Sequence, residues 1–257
     1  MRHTAMKIIG ATTLAIFALA SASTRAQEIR SGDDVLRAMH EKYKANWYDT
    51  LTFAQNSTTH NPDGTSKTEI WSEAALLPGK LRIDFGKIAA GNGAVFNDGT
   101  VTSFKDGRVV STRPFVHLLL VLGFDVYKQE AQTTIDLVKS QAIDLLKVHE
   151  ESWQGRSVYV VGADKGDLRA KQFWVEKERL LFVRLLMPDE KDPTKMRDER
   201  FGDYRQLSVG WIAARVEFYT DGKLVFDETY FDIVANPKLN AAVFDPKNFN
   251  TEHWEKE

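Results

Sequence analysis

The sequence contains no cysteine, which excludes several kinds of site and of stabilisation. Without cysteine the chain has no disulfide bond, no thiolate nucleophile and no thiolate metal ligand. It also lacks the residue that carries the lipid in lipid-anchored lipoproteins. The fold must therefore be held by its core alone, which is feasible because a chain of this length buries roughly 70–75% of its unfolded surface.

The chain also lacks an excess of positive charge, since it has 34 basic and 36 acidic residues. This balance argues against nucleic acid as a partner and against binding to anionic lipid through a polybasic segment. Long apolar runs are missing as well. The two longest, residues 8–20 and 115–124, are shorter than the roughly 20 residues that a membrane-spanning helix requires.

Motifs typical of hydrolases, zinc enzymes and nucleotide-binding enzymes are absent, namely G-x-S-x-G, H-E-x-x-H and the P-loop. The nearest approach to a metal cluster, His149 with Glu150 and Glu151, is interpreted as the polar end of a helix. The charged runs at 189–192 and 197–200 are interpreted as solvated loops. We therefore expect no catalysis, no metal and no cofactor.

The first 26 residues have the features of a secretory signal peptide. Arg2 and Lys7 give a short positive region, residues 8–20 are apolar and uncharged, and small residues follow in a cleavage pattern. The mature protein is then expected to span residues 27–257 as a single domain in the periplasm. No linker or internal repeat divides this part of the sequence.

The mature chain opens with a capped amphipathic helix, predicted over residues 33–47, and then changes to β-type alternation divided by Asp-Gly and Asn-Pro-Asp-Gly turn signals. Leu81, Ile83 and Phe85 alternate with polar residues, as expected of an antiparallel sheet with one solvated face. The predicted strands span residues 51–60, 67–76, 80–85, 94–97, 100–104, 157–162, 170–176, 180–186, 199–206, 211–220 and 224–233.

Two helical stretches, predicted over 115–128 and 134–148, interrupt the strands about halfway along the chain. Because twist accumulates across successive hairpins, a long sheet of this kind curls. The predicted fold is α+β and mostly β: a curled antiparallel half-barrel of about ten or eleven strands, with two or three helices covering its concave face. The apolar stretch is either a lid facing a ligand or an ordinary buried helix.

The order of these elements resembles the LolA/LolB-like family of periplasmic lipoprotein carriers. The resemblance rests on the secreted start, the single first helix, the segment PGKLRIDF at 78–85, the hairpin VFNDGTV at 95–101 and the apolar helical insert. It covers most of the mature chain. The chain is longer than a typical carrier of this type and lacks the lipidated cysteine of the membrane-anchored branch.

The resemblance implies a hydrophobic concave face that receives acyl chains and is closed by helices. The residues expected at this apolar cavity and its lid are Leu81, Ile83, Phe85, Leu118, Leu119, Leu122, Phe124, Phe173, Val175, Val216 and Phe218. Arg82 matches a family arginine that holds the lid closed, whereas its alternation with Leu81 and Ile83 places it in solvent. Both interpretations stay open at the level of sequence.

The expected function is a periplasmic carrier or binding protein for a lipid or acylated molecule, without catalysis. Its expected partners are a lipid or acyl chain and a lipoprotein or membrane-bound protein, with no nucleic acid. The resemblance also covers envelope-stress-sensing proteins that bind a partner protein. An interaction module of this second kind is favoured if the apolar insert forms an exposed patch.

Overall fold

The structure is a computed structural model that describes residues 28–254, so the predicted signal peptide lies outside the described residues. These residues form three α-helices and thirteen strands. The helices are α1 (Gly32–Tyr43), α2 (Leu118–Gly123) and α3 (Ala131–Ser140). The strands are β1 (Thr50–His60), β2 (Ser66–Leu76), β3 (Lys80–Phe85), β4 (Gly93–Asn97), β5 (Thr100–Lys105), β6 (Arg108–Pro114), β7 (Val148–Trp153), β8 (Arg156–Val161), β9 (Gln172–Glu176), β10 (Leu181–Pro188), β11 (Met196–Gln206), β12 (Trp211–Thr220) and β13 (Lys223–Ala235).

All thirteen strands belong to one antiparallel sheet, in the order β6-β5-β4-β3-β2-β1-β13-β12-β11-β10-β9-β8-β7. Each half is a run of hairpins, and the pairing of β1 with β13 joins the halves. The sheet curls but does not close, because β6 and β7 remain as its two edges. The predicted fold class is confirmed, with two or three strands more than the ten or eleven expected.

The two strands that the sequence pattern missed are these edge strands. Every residue of β6 is exposed, so β6 carries no alternation of buried and exposed positions. The sequence of β7, VHEESW, is mostly polar. The interpretation of His149, Glu150 and Glu151 as a helix end is therefore wrong, because pairing with β8 makes this segment a strand.

Turn chemistry explains the hairpins. Asp98, Asp106 and Asp221 have positive φ angles of 45°, 49° and 46°, and each is followed by a glycine that also has a positive φ. Two successive residues of this kind form the two-residue turns that match the twist of paired strands. The Asp-Gly signals in the sequence thus correctly marked the turns between β4 and β5, β5 and β6, and β12 and β13.

The position of the helices follows from the sheet order. Because β6 and β7 lie at opposite edges, the chain between them has to cross the sheet, and this crossing carries α2 and α3. Both helices pack with α1 on the concave face, where one continuous core joins them to the strands. The predicted helix over 134–148 is wrong in its limits, since α3 ends at Ser140 and Val148 begins β7.

Helix α1 begins where the sequence predicted. Ser31 caps it by accepting a hydrogen bond from the backbone N–H of Asp34 at 3.2 Å, and the carboxylate of Asp34 accepts from the backbone N–H of Ser31 at 3.0 Å. This reciprocal pair is a capping box. The helix ends at Tyr43, before the predicted end at Trp47, although the Trp47 side chain remains buried in the core.

The charged run at 197–200 lies inside β11, so its interpretation as a solvated loop is wrong. Asp198 is buried there and accepts two hydrogen bonds of 2.7 Å from the guanidinium of Arg184 on β10. Arg200 donates to the same carboxylate at 2.7 Å. Asp198 thus pairs with Arg184 across strands and with Arg200 along β11, which removes the need for solvent around these charges.

No helix among residues 28–254 is long and apolar enough to cross a membrane.

Candidate functional site

Helix α2 covers the middle of the concave face and separates two cavities. It has only six residues, LLLVLG, and the imidazole Nδ1 of His117 caps it by accepting the backbone N–H of Leu120 at 3.3 Å. Its last residue, Gly123, packs directly on Phe201 of β11: a Cβ atom at this position would lie 2.7 Å from the ring. The absence of a side chain at Gly123 therefore sets how closely α2 approaches the sheet.

The sheet cavity lies between α2 and strands β1 to β3 and β11 to β13, with a volume of about 130 Å³. Its wall is mostly apolar and aromatic. The lining residues are Phe53, Glu73, Ala75, Leu81, Ile83, His117, Leu119, Leu120, Phe124, Phe201, Val216, Phe218, Glu228 and Tyr230.

The helix cavity, of about 310 Å³, lies on the other side of α2, against α3 and the turns that join β2 to β3 and β4 to β5. Its lining residues are Pro78, Gly79, Phe96, Asp98, Gly99, Thr100, Phe115, Val116, His117, Leu120, Val121, Asp125, Gln129, Thr133 and Leu137. His117 and Leu120 line both cavities, so the first turn of α2 is the wall between them.

Six of the eleven side chains predicted at an apolar cavity do line the sheet cavity: Leu81, Ile83, Leu119, Phe124, Val216 and Phe218. The other five lie elsewhere. Leu118, Leu122, Phe173 and Val175 are buried in the core, and the Phe85 ring packs on Trp71 with 4.5 Å between ring centroids.

Arg82 is completely buried, so the expectation that it faces solvent is wrong. Its guanidinium donates to both oxygens of Asp84, with Nε–Oδ2 2.9 Å and Nη2–Oδ1 3.0 Å, and to the carbonyl oxygen of Phe249 at 2.9 Å. Among residues 28–254, its hydrogen bonds run to Asp84 and to the C-terminal segment and none runs to α2. The structure thus places Arg82 on the outer face of β3, away from the helices.

The C-terminal segment, residues 236–254, explains this arrangement and was missed by the sequence analysis. Its 3-10 turns at Ala241–Phe244 and Pro246–Asn248 cover the outer face of β2 to β5. Phe244 is buried against Ala74, and the Phe249 ring stacks on Phe104 with 3.9 Å between centroids. The polar face of β3 is therefore covered by chain rather than by water.

The polar groups in the sheet cavity were also missed. Burial raises the pKa of Glu228 to about 7 and, together with the neighbouring Glu228 carboxyl, raises the pKa of Glu73 well above its usual value. Burial lowers the pKa of His117 to about 4. At neutral pH the imidazole is therefore uncharged, and at least part of the acid pair is protonated.

The helix cavity contains one further shifted acid. Burial raises the pKa of Asp125 to about 7, against the effect of the hydrogen bond that its carboxylate accepts from the backbone N–H of Gly79 at 3.1 Å. Asp125 thus ties the turn before β3 to the end of α2. No group of three or more histidine, aspartate or glutamate side chains within residues 28–254 is placed to hold a metal ion.

The architecture defines a class of fold: a curled, open antiparallel sheet with helices on its concave face. Sequence comparison matches no protein-family model and no curated protein. Comparison with solved structures confirms the resemblance that the sequence suggested, at the level of the fold.

Three solved structures are similar over most of both chains. A domain from Vibrio parahaemolyticus, described as an outer membrane lipoprotein-sorting protein, has a TM-score of 0.57 at 14% identity and covers 85% of this chain and 98% of its own. A DUF1329 family protein from Desulfovibrio piger has a TM-score of 0.56 at 14% identity, with 85% and 97% covered. A LolA superfamily protein from Nitrosomonas europaea has a TM-score of 0.51 at 13% identity, with 82% and 97% covered.

Proposed function

We propose that this protein is a periplasmic carrier or binding protein for a lipid or acylated molecule, held between the concave face and α2, and that it has no catalytic role. The observation that carries the proposal is the pair of adjoining, mainly apolar cavities under and beside α2. The fold shared with a lipoprotein-sorting domain and a LolA superfamily protein supports it.

The geometry suggests how a chain would be accommodated. A cavity of about 150 Å³ binds a benzene-sized group, so the sheet cavity of about 130 Å³ holds only part of an acyl chain. Moving the first turn of α2, with His117 and Leu120, would join the two cavities. Each methylene buried there would contribute about 0.8 kcal/mol to binding.

The proposed location rests on the predicted signal peptide at residues 1–26, and the proposed working form is residues 27–257 as one lipophile-binding domain. The absence of cysteine is compatible with a fold held by its core alone. The proposed partners are the lipid or acyl chain itself and a lipoprotein or membrane-bound protein that delivers or accepts it.

The alternative is a protein-interaction or envelope-stress-sensing module of the same fold. The apolar insert does not support it, because Leu118, Leu120, Val121 and Leu122 are buried rather than exposed as a patch. One observation favours it: edge strand β6 is exposed along its whole length. An unpaired edge of this kind can accept a strand from a partner protein.

Filling the sheet cavity tests the proposal. Ala75 is buried and lines the cavity, so Ala75→Leu should occupy part of the space that the ligand needs. We expect the affinity of delipidated protein for palmitate and for a palmitoylated peptide, measured by calorimetry, to fall about tenfold or more, because overpacking costs about 1–3 kcal/mol.

The matched control is Ala89→Leu, the same substitution at an exposed position in the turn Ile88–Ala90. This variant should bind as the unmodified protein does. Equal affinity of the two variants would contradict a ligand in the sheet cavity. Failure of the unmodified protein to bind palmitate, phospholipid or the acylated peptide would contradict the carrier function itself.

A further inference from the structure

The polar part of the sheet cavity is acidic. Glu73 on β2 and Glu228 on β13 both line it, and both carboxyl groups are more than nine-tenths buried. Glu228 accepts a hydrogen bond from the hydroxyl of Tyr230 at 3.0 Å. The Glu73 carboxyl has no hydrogen-bond partner among the described residues, although the residue is only 6% exposed. A buried carboxyl without a partner is costly, so its presence at a cavity wall requires an explanation.

A second acceptor nearby also lacks a donor. Gln55 on β1 is completely buried, and its side-chain nitrogen donates to the hydroxyl of Ser57 at 3.0 Å. The side-chain oxygen of the same residue has no partner. Gln55 lies next to this acid pair, because it contributes to the stabilisation of the Glu228 carboxylate. The Gln55 side-chain oxygen and the Glu73 carboxyl are thus two acceptors without a donor on this side of the cavity.

No positive charge on the cavity wall offsets these acids. The one basic residue that lines it, His117, is uncharged at neutral pH because burial lowers its pKa to about 4. The groups behind the wall are Glu199, whose carboxylate lies 3.4 Å from Arg197, and Asp227, which contacts His60 at 2.6 Å. His60 is therefore already engaged with another carboxyl group, whereas Arg197 lies near enough to His117 to contribute to its lowered pKa.

The apolar part of the wall is rich in aromatic rings. Phe53 and Tyr230 stack at 4.3 Å between ring centroids, and Phe124, Phe201 and Phe218 complete the aromatic lining. The faces of aromatic rings carry partial negative charge and attract cations, most strongly where water is excluded. The carboxyl groups and the aromatic rings of the cavity thus favour the same kind of ligand, a cation.

We propose that the sheet cavity receives the ammonium end of a cationic amphiphile, with Glu73 and Glu228 as its counter-ions and the aromatic rings around it. This inference rests on the proposed function, because it names the ligand class of the same site. The cavity of about 130 Å³ holds the ammonium group and its first carbons, and the alkyl chain continues past Leu120 toward the helix cavity.

Binding of such a ligand has a proton balance. The ammonium arrives fully protonated and keeps its protons, whereas the acid pair must ionise to face it. Because at least part of the pair is protonated at neutral pH, its ionisation on binding releases protons to the buffer. An uncharged ligand of the same length gives no such release.

Calorimetry with three chain-matched probes tests the inference: dodecylammonium, dodecanol and dodecanoate, each titrated at pH 7 in buffers of different ionisation enthalpy. We expect dodecylammonium to bind on the order of thirty-fold more tightly than dodecanol, as for a buried charge pair. We also expect its binding to release protons to the buffer, and dodecanoate to bind most weakly because the acids repel it.

The variant Glu73→Gln should remove most of this preference and reduce the proton release while still binding dodecanol. The matched control is Glu69→Gln, the same substitution at an exposed position of β2 that does not line the cavity, and this variant should retain the preference. If Glu73→Gln does not fold, the proton release of the unmodified protein decides whether the cavity receives a cationic ligand.

The outcomes separate the two claims. Equal binding of the amine and the alcohol without proton release would overturn the cationic ligand and leave the carrier function standing. Failure of all three probes, together with palmitate and phospholipid, would overturn the carrier function and the present inference with it.

Discussion

Replacing Arg82 by methionine should lower the free energy of unfolding by about 3–5 kcal/mol, because it leaves a buried carboxylate without its partner. The guanidinium is completely buried and makes two hydrogen bonds to Asp84, of 2.9 and 3.0 Å. It also donates to the carbonyl oxygens of Phe249 and Glu252, which ties the C-terminal segment to the sheet. Urea unfolding of the variant measures the loss.

Two further variants make this test specific. Arg205→Met removes an exposed arginine that pairs with Asp203 at 2.9 Å, and it should cost less than about 1 kcal/mol. The double variant Arg82→Met with Asp84→Leu should recover much of the stability, because no buried charge is left unpaired. A loss below about 1 kcal/mol for Arg82→Met alone would contradict the role given to this ion pair.

The variant Glu228→Gln should be more stable than the unmodified protein at pH 8 by about 2–3 kcal/mol, with no gain at pH 4. Burial raises the folded pKa of Glu228 to about 7 from a usual value of 4.5, so the folded state holds a proton that the unfolded state releases. The contribution of Glu228 to stability is fully present below its pKa in the unfolded state. It is lost as the pH rises through its pKa in the folded state, which is about 7. Glutamine stays uncharged at every pH and keeps an acceptor for Tyr230.

Thermal unfolding at the two pH values measures this difference, and comparison with the unmodified protein cancels the other titrating groups. The control is Glu178→Gln, at an exposed position, whose effect should be small and the same at pH 4 and pH 8. If Glu228→Gln proves equally stable or less stable at pH 8, the result would contradict a raised pKa of Glu228 in the folded protein.

The fold was predictable from the sequence because its signals are local. Aspartate followed by glycine fixed three hairpin turns, period-two patterning placed Leu81 and Ile83 on the concave face, and the run at 115–124 marked the insert that crosses the sheet. Four of the six predicted residues that line the cavity lie on strands with this alternation (Leu81, Ile83, Val216 and Phe218), and the other two, Leu119 and Phe124, lie in the insert. Apolar side chains at every second position of a strand point inward, because one face of the sheet is buried.

The parts that could not be predicted depend on contacts between distant segments. Arg82 has the pattern of an exposed residue, and only the packing of the C-terminal segment makes it a buried ion-pair partner. Glu73 and Glu228 are 155 positions apart in the sequence. They line one cavity because β2 and β13 both pair with β1 in the sheet. Edge strand β7 forms because β8 offers a partner, although its polar sequence favours no strand.

The most direct test of the account is the position of a bound chain, observed by NMR with methyl-labelled protein and a ¹³C-labelled palmitoyl chain. We expect intermolecular nuclear Overhauser effects from the chain to Leu119 on α2 and to Ile83 and Val216 on the sheet, because these residues line the same cavity. Effects confined to the exposed Val109 and Val110 of β6, or none at all, would contradict a ligand held between sheet and helix.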